Sequence, residues 1–195
     1  MTATRRRGER LEHAILDATW QIVTEVGYAR LTFEAVAALA GTSRPVLSRR
    51  WPTRAELALA AMEHAAPPSI KAPDTGSLRS DLIELLRQAV NGLGTVRGEV
   101  LAGLAAETAR DPDATAALHA WLARSTREDT TATVLARAAD RHEIRAVDLS
   151  PRVLRLPFDL VRNEVVVYGH LPADDTTTSI VDDVLLPLIH QLTTA

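Results

Sequence analysis

The chain has 195 residues, 46% of them hydrophobic, 24% charged and only 4% aromatic, with 9 Gly, 10 Pro, no Cys and a net charge of −3. This balance excludes disordered, collagen-like and low-complexity chains, and the missing cysteine excludes a disulfide scaffold, a thiolate zinc site and a Cys nucleophile. No apolar run reaches the roughly 18 residues of a membrane span, and the basic start MTATRRRGER lacks the apolar core of a secretory signal, so no membrane partner is expected and the cytoplasm is the expected compartment.

Ala and Leu dominate, which favours helices. Leu11, Ile15, Ala18 and Ile22 recur on one helical face, and Gly27 is expected to end that helix in the left-handed conformation. Phe33, Val36, Ala37 and Ala40 mark a short second helix, with Thr32 as N-cap and Gly41 as its stop. A third runs from Arg44 to Arg50 behind Ser43, with Pro45 in its first turn and Trp51-Pro52 closing it. Thr53 and Glu56 form a capping box for a fourth helix, reaching about Ala65. Pro67, Pro68, Pro73 and Gly76 then make the clearest boundary in the chain.

Beyond it, Leu78, Leu82, Leu85, Leu86, Ala89 and Leu93 form one apolar stripe, and Val100, Leu101 and Leu104 another. Asp111-Pro112 starts a long helix carrying Leu118, Trp121, Leu122, Val134 and Leu135. Ser150-Pro151 opens a helix to about Tyr168, which Pro157 is expected to kink or restart. A last helix carries Val181, Val184, Leu185, Leu188 and Leu192, interrupted by Pro187. The expected fold is therefore all-α, with about nine helices: an N-terminal three-helix helix-turn-helix domain over 1–66 and a C-terminal helical domain over 77–195. No strand and no repeat is evident.

Charge follows that division. Residues 1–66 carry nine Arg against seven acids, whereas residues 67–195 carry thirteen basic against eighteen acidic side chains. One end is suited to a polyanion and the other is not. Helix two, the Gly41-Thr42-Ser43 turn and helix three have the form of a helix-turn-helix, whose second helix presents its N-terminal residues to base edges in the major groove. Those residues are Ser43, Arg44 and Pro45, with Ser48 and Arg49 one turn on. Val46, Leu47 and Trp51 would face helices one and two. A short helix pair around a glycine is also common in all-α proteins that bind no DNA.

The stretch Ile15 to Gly27, followed by LTFEAVAALAGTSRPVLSRRWPTRAEL from Leu31 to Leu57, resembles the TetR family of transcriptional regulators over roughly residues 10–57. The resemblance implies that Thr32 caps helix two and touches a phosphate. It places Thr42, Ser43, Arg44 and Pro45 at the entry of the recognition helix, with Arg49 further along. Arg54 matches a position that usually holds a phosphate, and Arg5, Arg6 and Arg7 suit a flexible arm along the backbone or a solvated tail. Two positions depart from the family pattern. Ser48 stands where Tyr is usual, which removes one phosphate contact and about one unit of salt slope. Pro45 stands where a small residue, commonly Gly, is found.

The same resemblance implies a homodimer on a palindromic double-stranded DNA operator, paired through the last two helices. Val161, Val165, Val181, Val184, Leu185 and Leu188 supply apolar surface there, unless they fill the chain's own core. It also implies a pocket for a small-molecule effector in the middle helices, with no cofactor or metal. Candidate lining residues are Leu86, Val90, Leu101, Leu104, Trp121, Leu122, Phe158 and Val161, with Glu107, His119 and Arg162 as polar groups. A ligand that prefers a wider separation of the two reading heads would release the operator by population shift, making the protein a ligand-relieved repressor.

Two other readings compete. An all-helical enzyme lacks support: no two of the six histidines are four apart, and no nucleophile-elbow, P-loop or dinucleotide motif occurs. Asp174 with Asp175, and Asp182 with Asp183, could suggest a cation site, yet each sits most simply at a loop or helix N-terminus, where acids are favoured. A helical homodimer with a degenerate reading head, acting as a protein-interaction module, is the alternative that Ser48 keeps open.

Overall fold

The computed structural model describes residues 2–65, 70–124 and 128–194, with the side chains of 2–7, 124 and 194 left out. Among these residues every regular element is helical: α1 (Thr2–Val26), α2 (Phe33–Leu39), α3 (Arg44–Ser48), α4 (Arg54–His64), α5 (Leu78–Thr108), α6 (Pro112–Arg124), α7 (Glu128–Asp140), α8 (Pro151–Asn163), α9 (Asp174–Ser179) and α10 (Leu186–Thr194). A 3-10 turn, Tyr28–Arg30, precedes α2, and π-helical stretches follow α8 (Glu164–Tyr168) and α9 (Ile180–Leu185). Among the described residues no helix is long and apolar enough to cross a membrane.

The chain forms two compact units, Met1–Pro67 with Glu99–Arg124, and Pro68–Gly98 with Ser125–Ala195. The end of α5 and all of α6 pack with the first unit. There α4 packs on both α1 and α6, and the Tyr28 ring lies so close to Gly103 that a Cβ there would stand 2.7 Å from the ring. The core of this unit includes Ile15, Leu16, Ile22 and Val23 from α1, Leu57 and Met62 from α4, and Val100, Leu101 and Leu104 from α5.

The second unit closes around Leu78, Leu82, Leu85 and Leu86 of α5, Val134 and Leu135 of α7, Phe158 and Val161 of α8, and Val181, Leu185 and Ile189 of the last helical run. Its entry segment is pinned by polar bonds. Asp81, buried outright, accepts from the Thr75 amide at 2.6 Å and from Arg141 Nη2 at 2.7 Å. Arg137 Nη1 donates to the carbonyls of Ala72 and Pro73, each at 2.8 Å. Residues 66–69 of the expected boundary lie outside the described residues.

Several local expectations are corrected. Gly27 has φ 82° and ψ 162°, a positive-φ extended residue rather than a left-handed cap. The two stripes of 78–104 share one helix, α5, broken at Gly94, whose φ of 58° and ψ of 170° no helix accommodates and only glycine adopts cheaply. The long helix expected from Asp111-Pro112 is described as α6 and α7, on either side of residues 125–127, which lie outside the description. α8 runs through Pro157 without restarting. Pro187 falls in the first turn of α10 directly after a π stretch. Widening the helix there eases the clash of the proline ring with the preceding turn.

Candidate nucleic-acid interface

The reading head is assembled from local signals. Thr32 Oγ1 accepts the Ala35 amide at 3.2 Å and starts α2. At the other end the Gly41 amide bonds the Ala38 carbonyl at 3.3 Å and the Thr42 amide bonds that of Ala37 at 2.9 Å. These two bonds are a Schellman ending, and they need Gly41 at φ 64°. The chain then turns through Ser43, which stands in extended geometry at the N-cap of α3 without a side-chain capping bond. Leu47 is fully buried and Trp51 nearly so, while Val46 is half-buried. These three fix the inner face of α3.

The outer face holds the predicted DNA contacts. Ser43, Arg44, Pro45, Ser48 and Arg49 are exposed together, Thr32 is exposed at the start of α2, and Thr42 is half-buried in the turn. The Arg49 guanidinium has no partner among the described residues. Arg44 pairs with Glu34 at 3.0 Å, both side chains about two-thirds exposed (66% and 65%). An ion pair so open to water is weak and leaves the guanidinium available. Arg50 is tied to Glu12 of α1, which braces the end of α3. Arg5, Arg6 and Arg7 lie within α1 in place of a flexible arm, and their side chains are outside the described residues.

Arg54 is engaged within its own unit. It sits at the first position of α4 behind an intact capping box: Thr53 Oγ1 accepts the Glu56 amide at 3.1 Å and Glu56 accepts the Thr53 amide at 3.3 Å. Its guanidinium turns inward within the first unit. Nη2 meets Glu107 Oε2 at 2.9 Å, and Nη1 donates to the Ala29 carbonyl at 3.4 Å. The carbon of the guanidinium stands 4.7 Å from the Tyr28 ring centre. The Tyr28 hydroxyl donates to the same Glu107 oxygen. Burial, and then the bond to Glu107, push the Tyr28 phenol well above its ordinary value, outweighing the lowering by Arg54. Burial pulls Arg54 down, but Glu107 and Tyr28 together raise it. A cleft of about 520 Å³ opens beside this cluster, lined also by Glu99, Gly103, Ala106 and Arg110.

The effector candidates come from both units. Leu86, Val90, Phe158 and Val161 belong to the core of the second unit. Leu101, Leu104, Glu107, His119, Trp121 and Leu122 belong to the first. Leu101 and Leu104 are buried, Trp121 and Leu122 half-buried, and His119 exposed. Glu107 is taken up by Tyr28 and Arg54, and Arg162 by Asp159 at 2.6 Å. The second unit also opens a cleft of about 710 Å³ lined by Ala139, His142, Glu143, Ile144, Arg145, Ala146, His190 and Thr193. The sequence reading missed it because its residues follow no helical stripe. Of the dimer candidates, Val165, Val181 and Leu185 are buried in their own unit, as is Val161. Val184 stays exposed and Leu188 half-exposed, joined by Val167, Tyr168 and Leu192.

Comparison with known proteins matches most of the chain. The family described as bacterial regulatory proteins, tetR family, matches residues 15–61, and the tetracyclin repressor-like C-terminal domain matches residues 72–184. A helix-turn-helix-type transcriptional regulator of Mycobacterium tuberculosis is 33% identical over 183 residues, covering 93% of this chain and 89% of the relative. The crystal structure of the TetR family transcription regulator SCO0332 superposes with a TM-score of 0.67 at 26% identity, covering 90% of this chain and 96% of that one. The multidrug binding protein EbrR, crystallised with proflavin, shares the fold at a TM-score of 0.52 and 21% identity, over 92% and 99% of the two chains. The chain belongs to the TetR family of helix-turn-helix transcriptional regulators.

Proposed function

We propose that the protein represses nearby genes by binding a palindromic operator as a homodimer, and that a small-molecule effector releases it. The observation that carries the reading is the outer face of α3. It exposes Ser43, Arg44, Pro45, Ser48 and Arg49 on a helix whose opposite side is anchored by buried Leu47 and Trp51. Arg44 and Arg49 are the guanidinium groups available for guanine edges or phosphate. Thr32 and Thr42 supply hydroxyls for the backbone. Residues 1–66 carry the DNA function and 77–195 the effector and dimer functions, in the cytoplasm where the chromosome is. The repressor role is supported by the tetracyclin repressor-like match over 72–184, and an effector by the proflavin bound to EbrR.

The test is a shift assay on the intergenic DNA beside the protein's own gene, at two salt concentrations. Specific binding that Arg44→Ala relaxes by about 1–3 kcal/mol at one base position is the expected result. Weak binding without sequence preference at either salt would instead favour a protein-interaction module with a degenerate head, the reading that Ser48 suggests.

A further inference from the structure

We propose that Glu107 is an internal stand-in for a DNA phosphate, holding Arg54 off the duplex and so setting how tightly the head binds. The inference rests on the DNA-binding reading and deepens it. Arg54 occupies the first position of the eleven-residue α4, the positive end of that helix. Its guanidinium already holds an anion. Glu107 presents one carboxylate oxygen, Oε2, to Arg54 Nη2 at 2.9 Å and to the Tyr28 hydroxyl. Carboxylate and phosphate ask the same of a guanidinium, an anionic oxygen in line with its N–H groups. One guanidinium that is also stacked on Tyr28 and directed at the Ala29 carbonyl cannot serve both.

The cluster is held from below and open from above. Tyr28 is buried and lies against Gly103, so the ring under Arg54 cannot withdraw. The Arg54 and Glu107 side chains are 33% and 21% exposed, which leaves them within reach of solvent and of a competing anion. Neutralising Glu107 therefore frees a cation at the start of α4 without disturbing α3.

Fluorescence anisotropy of the full chain on the intergenic duplex, against a scrambled duplex, reads affinity across salt. Wild-type protein that does not distinguish the two duplexes defeats the DNA-binding reading itself. Given wild-type binding, Glu107→Gln is expected to bind at least about threefold tighter at low salt and to steepen the log–log salt slope by about one, the signature of one more phosphate contact. The double variant Glu107→Gln with Arg54→Ala loses that extra slope. Glu99→Gln removes the same charge from the same cleft without touching Arg54, and keeps the wild-type slope. A Glu107→Gln slope equal to wild type or shallower, or a Glu99→Gln slope that matches it, overturns the proposal. Should Glu107→Gln not melt cooperatively, Glu107→Met is read in its place. Loss of folding in both overturns the proposal too, since Glu107 would then be a structural residue alone.

Discussion

Asp81 is a carboxylate with no exposure to water, and such a group survives only when fully bonded. Burial pushes its carboxyl up, but the amide and hydroxyl of Thr75 and the Arg141 guanidinium outweigh that and hold it below the usual carboxylate range. A depressed folded value means that the stabilisation is present above the unfolded value near ~4 and is lost as pH falls through the folded one. Asp81→Asn is expected to cost about 1–3 kcal/mol at neutral pH, the penalty for poorly met buried partners. The gap between variant and wild type should narrow below about pH 4, read from melting curves across pH. A gap independent of pH would remove the charge from the account. No local pattern singles out this residue, for Thr75, Asp81 and Arg141 are scattered along the chain and their meeting depends on tertiary packing. Thr53 and Glu56 were legible because both halves of a capping box lie within one turn of chain.

The same contrast holds for whole elements. Caps and stops were legible where the chemistry is local: Thr32 before α2, Gly41 after it, Trp51-Pro52 after α3. Three features were not. The break of α5 at Gly94, the π stretches after α8 and α9, and the recruitment of Glu99–Arg124 to the first unit all depend on what each helix packs against. Tyr28 shows why. It follows Gly27 without any periodic signal, yet its ring fills the space that Gly103 leaves on α5. Gly103→Ala would place a Cβ 2.7 Å from Tyr28 Cδ1 and 3.4 Å from Cγ. A buried ring cannot step aside, so the helix or the turn must shift, at a cost of about 1–3 kcal/mol. Thermal denaturation checks this. An alanine that stabilises, as it would in an open helix, would mean that the contact between turn and helix is loose.

At the scale of the molecule, the last helices divide their apolar residues between two uses. Val161, Val165, Val181, Leu185 and Ile189 are spent on the chain's own core, so four of the six expected dimer residues are buried within their own unit. What remains is Val184, Leu188 and Leu192, four apart along the last helical run, with Val167 and Tyr168 in the π stretch that follows α8. Val167 and Tyr168 are 62% and 61% exposed and Val184 is 41% exposed, large values for apolar side chains, and an exposed apolar patch is the usual mark of an interface. If two copies pair there, unfolding is coupled to dissociation and the melting temperature rises with protein concentration. Val184→Lys puts a charge into that surface without entering the core. The variant is expected to sediment as a monomer, to melt independently of concentration, and to lose at least about tenfold in operator affinity, because one head then binds one half-site without the gain of a linked second contact. A Val184→Lys protein that remains dimeric and binds the operator as wild type does would place the pairing surface elsewhere on the chain.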